Sequence, residues 1–215
     1  MIISIDGPAG SGKSTVAELL SKKLNFIHFN SGSLYRGITA YCLKHCKDKN
    51  FENFLKNEKI TLKIEFISNN QHVFVNNKDF TKVLRENSVS VNTPKISIIP
   101  YVRNLVDNCQ KEFCSKHNVV IDGRDIGSFV FPNADIKFYL DCDIHERAKR
   151  RFMEENKKNT KISIIEIEKQ IRMRDELDKN KKIAPLIVPK NSIVIDSTNL
   201  TINQVVEEML KFIKF

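Results

Sequence analysis

A chain of 215 residues can bury one good core and is too short for a multi-domain motor. With 41% hydrophobic and 28% charged residues, and no run near ~18 apolar residues, neither a disordered chain nor a membrane-spanning helix is expected. Lys+Arg 35 against Asp+Glu 26 leaves a net charge of +9, which points to anionic partners, either nucleic acid or small phosphorylated compounds.

Residues 2–6 (IISID) form a short apolar run that ends in a glycine-rich turn, and Val16, Leu19, Leu20 and Leu24 then recur at helical spacing. Buried strand, glycine turn, helix is the opening of a parallel α/β sheet. A second strand is expected over 27–29 and a second helix over 33–47. From residue 60 the period becomes two: Leu62, Ile64 and Phe66 alternate with polar neighbours, Asn69-Asn70 turns the chain, and Val73 and Val75 follow. This predicts an antiparallel hairpin, a small insert near 60–86. A helix is expected over 101–116 behind Pro100, and buried strands over 119–122, 136–140 and 192–196. An Arg-rich helix follows the second of these strands. A long charged helix is predicted over 162–182 and an amphipathic one over 201–215.

The expected fold is a doubly wound parallel α/β sheet, one domain over 1–215 with a helical lid near 150–182. The five cysteines are odd in number and include no CxxC pair, so a reducing compartment suits them better than a disulfide framework. Cys42, His45 and Cys46 have no second ligand pair at a useful spacing and read as ordinary helix residues. The opening MIISID has no basic leader, so a soluble, cytoplasmic protein is expected.

The segment GPAGSGKS at 7–14 fits GxxxxGK[ST] and lies between a buried strand and a helix, the context this loop requires. Its glycines let backbone N–H groups turn toward a phosphate, and the helix behind adds its positive end. Gly7, Pro8, Ala9, Gly10, Ser11, Gly12, Lys13, Ser14 and Thr15 are therefore assigned to ATP. Lys13 reaches the outer phosphates, and the Ser14 hydroxyl helps hold Mg²⁺. A GTPase would need an NKxD element; Asn77-Lys78-Asp79 is one residue too tight. A small phosphotransferase remains.

Arginines gather where strands end, the place where doubly wound sheets bind ligands. Gly123-Arg124-Asp125 closes one strand. Arg147, Arg150 and Arg151 share a helix face, as do Arg174, Asp178 and Lys181. A solvated surface competes as an explanation for the helical arginines and is weaker for Arg124. Phosphoryl transfer needs forked guanidinium groups to stabilise the moving charge and to hold an acceptor phosphate.

At these residues the chain resembles the bacterial cytidylate kinases, over nearly its whole length. The resemblance is carried by IDGPAGSGKST at 5–15, SGSLYR at 31–36, Val102-Arg103, IDGRDIGSFVFPNA at 121–134, ERAKRR at 146–151 and RDELDKNKKIAPL at 174–186. It implies an ATP-dependent kinase of CMP and dCMP. Ser31, Arg36, Arg124 and Lys181 resemble the acceptor-phosphate ligands, Arg174 and Asp178 the sugar ligands, and Arg103 and Asp125 the readers of the base. Asn30 stands where the family commonly has Asp, Pro94 where a serine commonly helps read the base, with Thr93 beside it, and Lys181 where an Arg would be expected.

Catalysis is assigned to Lys13, Arg124, Arg147, Arg150 and Arg151, with no general base, because such kinases position charge rather than move protons. The basic stretch 150–182 is the expected lid that excludes water. A nucleic-acid module would intersperse aromatics for stacking; this stretch holds only Phe152, so no nucleic-acid partner is expected, and no membrane partner either. A monomer is expected.

Overall fold

A computed structural model describes residues 1–48, 50–156 and 162–214. In chain order its elements are β1 (Ile2–Asp6), α1 (Lys13–Leu24), β2 (Ile27–Asn30), α2 (Ser31–His45), α3 (Phe51–Asn57), β3 (Leu62–Ile67), β4 (Asn70–Val75), β5 (Lys78–Asp79), α4 (Asn87–Ile96), α5 (Pro100–Cys114), β6 (Val119–Asp122), β7 (Ile136–Asp141), α6 (Ile144–Asn156), α7 (Ile164–Lys179), β8 (Ile193–Asp196) and α8 (Ile202–Leu210). A single turn of 3₁₀ helix covers Thr81–Val83, and a π-helical turn covers Ile126–Val130. The chain divides into two compact units, Met1–His28 with Val119–Phe215, and Phe29–Asn118.

The first unit is built on a sheet of order β2-β6-β1-β7-β8; β2 contributes Ile27 and His28 to this unit. β1 pairs in parallel with β6, Ile2 opposite Val119, and with β7, Ile3 opposite Ile136. β8 extends the parallel run, Phe138 opposite Ile193. Central parallel strands are covered on both faces, which is why β1 and β6 read as continuous apolar runs. Ile3, Ile5, Val120, Phe138 and Leu140 form the core with Val16, Ala17 and Leu20 of α1 and Val205, Val206 and Met209 of α8.

Local chemistry sets the helix ends. α1 stops at Asn25 in the left-handed conformation (φ 56°), and the Phe26 N–H returns to Ser21 O at 2.9 Å. α7 opens with a capping box between Ser163 and Glu166, and α8 with one between Thr201 and Gln204. α8 is shorter than the amphipathic pattern suggested, ending at Leu210. Ala148 of α6 packs with Ile167 and Ile171 of α7, so the predicted lid consists of two helices packed on each other. Residues 157–161 of that expected segment lie outside the described residues.

In the second unit, β3 and β4 form the expected hairpin, Leu62 opposite Val75 through Ile67 opposite Asn70, and β5 adds a short third strand. Gly37 is required where α2 meets β4: a Cβ there would stand 2.5 Å from Val73 Cγ1. α2 begins two residues earlier than the spacing indicated, because the Asn30 side chain accepts the Ser33 N–H at 2.8 Å as its N-cap. α3 and α4 were not expected. α4 carries Pro94 inside it, a residue that argues against helix in sequence.

Candidate active site

The loop from Gly7 to Gly12 joins β1 to α1. Gly10 and Gly12 hold φ of +77° and +89°, values that an L side chain rarely adopts. Gly12 is the N-cap of α1 and makes no side-chain cap bond, so the positive end of the helix is presented to an anion.

Three cations from separate parts of the first unit each donate to one of three consecutive loop carbonyls. Arg124 reaches Gly7 O at 3.1 Å, Lys13 Nζ reaches Pro8 O at 2.6 Å, and Arg147 reaches Ala9 O at 2.9 Å. Lys13 also lies 3.2 Å from Ser11 Oγ. Burial, with Arg124 close by, pushes its amine well below the usual lysine range, against the pull of Asp122, Asp6 and Asp178. A bound polyphosphate would reverse that balance.

Asp175 completes the grip on the loop. Its Oδ1 accepts the Ala9 N–H at 3.0 Å and its Oδ2 accepts from Arg147 at 2.5 Å; both side chains are buried. Arg147 also donates to Cys142 O at 2.9 Å. The sequence had assigned Arg147 and passed over Asp175, whose only signal was its place beside Arg174. The other two helical arginines lie elsewhere. Arg150 donates to Ser197 O at 2.7 Å, and the Ser197 hydroxyl lies 3.4 Å from Ser11 O. Arg151 pairs with Glu154 and Glu155 on its own helix.

Asp178 is fully buried and draws three more assigned residues together. Arg124 Nε and Arg174 Nε stand 3.0 and 3.2 Å from its Oδ2, and Lys181 Nζ stands 2.8 Å from its Oδ1. Burial alone would raise this carboxyl, but Arg124, Arg174 and Lys181 outweigh it and hold it well below the usual range. One negative charge among three positive ones leaves an excess suited to an anion.

Two carboxylates at strand ends were not singled out from sequence. Asp122 accepts from the Ser14 hydroxyl at 2.6 Å through Oδ2, while its Oδ1 lies 2.8 Å from His28 Nε2. Burial opposes its ionisation, yet the bonds from His28 and Ser14 keep the carboxyl low. Asp6, at the end of β1, accepts from the backbone N–H groups of Ile126 and Gly127 at 2.8 and 2.7 Å, so it holds the turn that follows Arg124-Asp125. Burial pushes Asp6 up to about 7 despite those two bonds. A carboxyl raised in the fold stabilises it below the unfolded value and loses that contribution as pH rises through about 7. Asp6→Asn cannot ionise, so the difference in melting temperature, variant minus wild type, should grow from pH 5 to pH 8; a constant difference in calorimetry would remove the assignment.

The second unit holds the remaining predicted residues. Ser31 donates to Gln110 Oε1 at 2.9 Å, and Arg36 follows one turn later on α2. Arg103 is buried on α5, its guanidinium 5.9 Å from the Tyr35 ring centroid. Gln71 of the hairpin donates to Asn30 O and Ser33 Oγ at 3.2 and 2.7 Å, fixing the start of α2. The buried Thr93 hydroxyl turns back to Val89 O at 2.7 Å. A hollow of about 490 Å³ lined by His45, Cys46, Phe54 and Glu58 carries none of the predicted residues. Among the described residues, no cluster of three or more His, Cys, Asp or Glu side chains forms a metal cage, all five cysteines are free thiols, and no helix is long and apolar enough to cross a membrane.

The fold matches that of a shikimate kinase from Bacteroides thetaiotaomicron, with a TM-score of 0.53 at 13% identity over 98% of this chain and 97% of that one. At that identity the likeness concerns architecture alone. Sequence comparison goes further. The chain is 40% identical over 215 residues to a cytidylate kinase from Carboxydothermus hydrogenoformans, covering 99% of this chain and 97% of the relative. It is 39% identical over 212 residues to a cytidylate kinase from Clostridium botulinum, again covering 99% and 97%. The sequence pattern of the cytidylate kinase family matches residues 3–215, and with loop, strand-end arginine and charged helix in place, the chain belongs to that family.

Proposed function

We propose that this protein transfers the γ-phosphoryl group of ATP to CMP and dCMP, giving ADP and CDP or dCDP. The observation that carries this reading is the buried Asp178 with Arg124, Arg174 and Lys181 around it, in the same unit as the phosphate loop and linked to it through the bond from Arg124 to Gly7 O. A phosphate oxygen of CMP attacks the γ-phosphorus, the bond to the bridging oxygen breaks, and ADP leaves. The residues of this chain bind, orient and neutralise; none needs to move a proton.

Lys13 and the loop N–H groups hold the donor phosphates, with Arg147 and Asp175 keeping the loop in shape. Arg124 is placed to answer charge on the moving phosphoryl group, and it releases Gly7 O when a better acceptor arrives. Ser31, Arg36, Arg124 and Lys181 are assigned to the acceptor phosphate, Arg174 and Asp178 to the sugar, and Arg103 and Asp125 to the base. Arg150 and Arg151 act with the donor side when helices α6 and α7 close over it. The hydroxyl of Ser14 and the carboxylate of Asp122, 2.6 Å apart at the head of α1, form an oxygen donor set that fits Mg²⁺. Such an ion, brought with the nucleotide, would be held there by Ser14 and Asp122 and would supply positive charge against the polyphosphate. We read the protein as a monomer.

Cytosine presents acceptors at N3 and O2 and a donor amine at position four, matching an Arg and a carboxylate. Uracil reverses the pattern at N3 and position four, which opposes donor to donor and acceptor to acceptor. Discrimination of roughly a hundredfold or more in kcat/KM is expected for CMP over UMP. A panel of CMP, dCMP, UMP and AMP in a coupled ADP-release assay tests the reading. No turnover of CMP would overturn the activity, and equal efficiency on UMP would remove Arg103 and Asp125 as the base readers.

A further inference from the structure

Asp122 is held from two sides. A carboxylate has two oxygens, and here each has a different partner: Ser14 donates to Oδ2, and His28 Nε2 sits against Oδ1. Since a carboxylate only accepts, the histidine must donate from Nε2. The contact is sheltered, with the Asp122 side chain 5% exposed and the His28 ring 22% exposed, so water competes poorly for it. Strand alternation explains how the ring arrives there. On β2 the neighbouring Phe29 is fully buried, which leaves His28 on the opposite face.

The terminal torsion of an aspartate is broad and roughly two-fold, so a carboxylate held by one oxygen alone can turn. A second donor on the other oxygen stops that rotation and fixes which lone pairs remain for a cation at Ser14. We propose that His28 is a positioning residue for Asp122, setting the carboxylate that receives the magnesium–nucleotide at the head of α1. The inference rests on the magnesium–nucleotide reading given above. Nothing in the motifs around the phosphate loop points to this histidine; it lies 14 residues after Ser14 and 94 before Asp122, so only the fold brings the three together.

The test uses ADP binding by isothermal titration calorimetry, in Mg²⁺ and in EDTA, so that no turnover is involved. In wild type, Mg²⁺ should tighten ADP binding. In His28→Phe that tightening should fall about tenfold, as expected when an outer partner of a metal-binding group is lost, while affinity in EDTA and affinity for CMP stay unchanged. His28→Gln, whose amide can donate to Oδ1 from a similar place, should recover most of the effect. An unchanged magnesium increment in His28→Phe overturns the proposal, as does an equal loss with and without Mg²⁺, which would mark a merely structural contact. A His28→Gln protein as impaired as His28→Phe also overturns it. If wild type itself shows no magnesium increment, the reading of Ser14 and Asp122 falls together with this one.

Discussion

Replacing Lys13 with alanine is expected to lower kcat roughly 10³-fold while the fold survives. The amine is buried against Pro8 O and Ser11 Oγ, and its proposed role in the transfer is to meet the outer phosphates. Without nucleotide it stands in an unfavourable place, since burial and Arg124 push it well below the ordinary lysine range. Its removal therefore relieves the empty protein. The melting temperature of the nucleotide-free variant should equal or exceed that of wild type, while the stabilisation that wild type gains from ADP should largely disappear. Steady-state kinetics and thermal unfolding with and without ADP give both readings. Normal turnover would refute the role, and a variant that fails to fold would refute the claim that the amine is a burden in the empty state.

The second large effect is expected at Asp178. Asp178→Asn keeps the shape and removes the charge, which leaves Arg124, Arg174 and Lys181 facing one another without their anion. Breaking a buried ion pair from one side costs about 3 kcal/mol or more. The pH dependence has a definite sign. This carboxyl is depressed in the fold, so its contribution is present above its unfolded value of 3.8 and is lost as pH falls through the lower folded value. The stability gap between wild type and variant should be full near pH 7 and shrink below about pH 4. Denaturant unfolding at several pH values measures it. Because Arg124 and Lys181 are proposed to bind the acceptor phosphate, kcat/KM for CMP should fall with the substitution. A variant as stable as wild type at pH 7 would show that the three cations do not depend on Asp178.

Much of the site was legible before any coordinates. GPAGSGKS carried its own chemistry, since three glycines, all of which take positive φ, and a lysine at the start of a helix suit few purposes other than phosphate binding. Gly123-Arg124-Asp125 was visible because a charge at the end of a buried strand is out of place unless it meets a ligand. The hairpin was visible through its period of two. α4 was not, because Pro94 suggests a helix break, yet the helix accommodates it between Asn87 and Ile96. Arg150 and Arg151 looked equivalent to Arg147 on one helix face, yet only Arg147 reaches the loop; Arg150 turns to Ser197 and Arg151 to its neighbouring glutamates.

The sequence by itself determined what depends on neighbours along the chain: the strand–loop–helix that cradles a phosphate, the alternation of the hairpin, and the caps of α7 and α8. Only the tertiary structure decided which carboxylates act together with those elements. Asp6, Asp122 and Asp175 lie at sequence separations of 120, 108 and 166 from the groups they hold. Their partners become visible only when the parallel strands bring the ends carrying Asp6 and Asp122 together and α7 brings Asp175 to Ala9. The physical reason is that helices and turns are written by contacts a few residues apart, whereas a buried carboxylate acquires its charge state and its role from whatever the folded chain places around it.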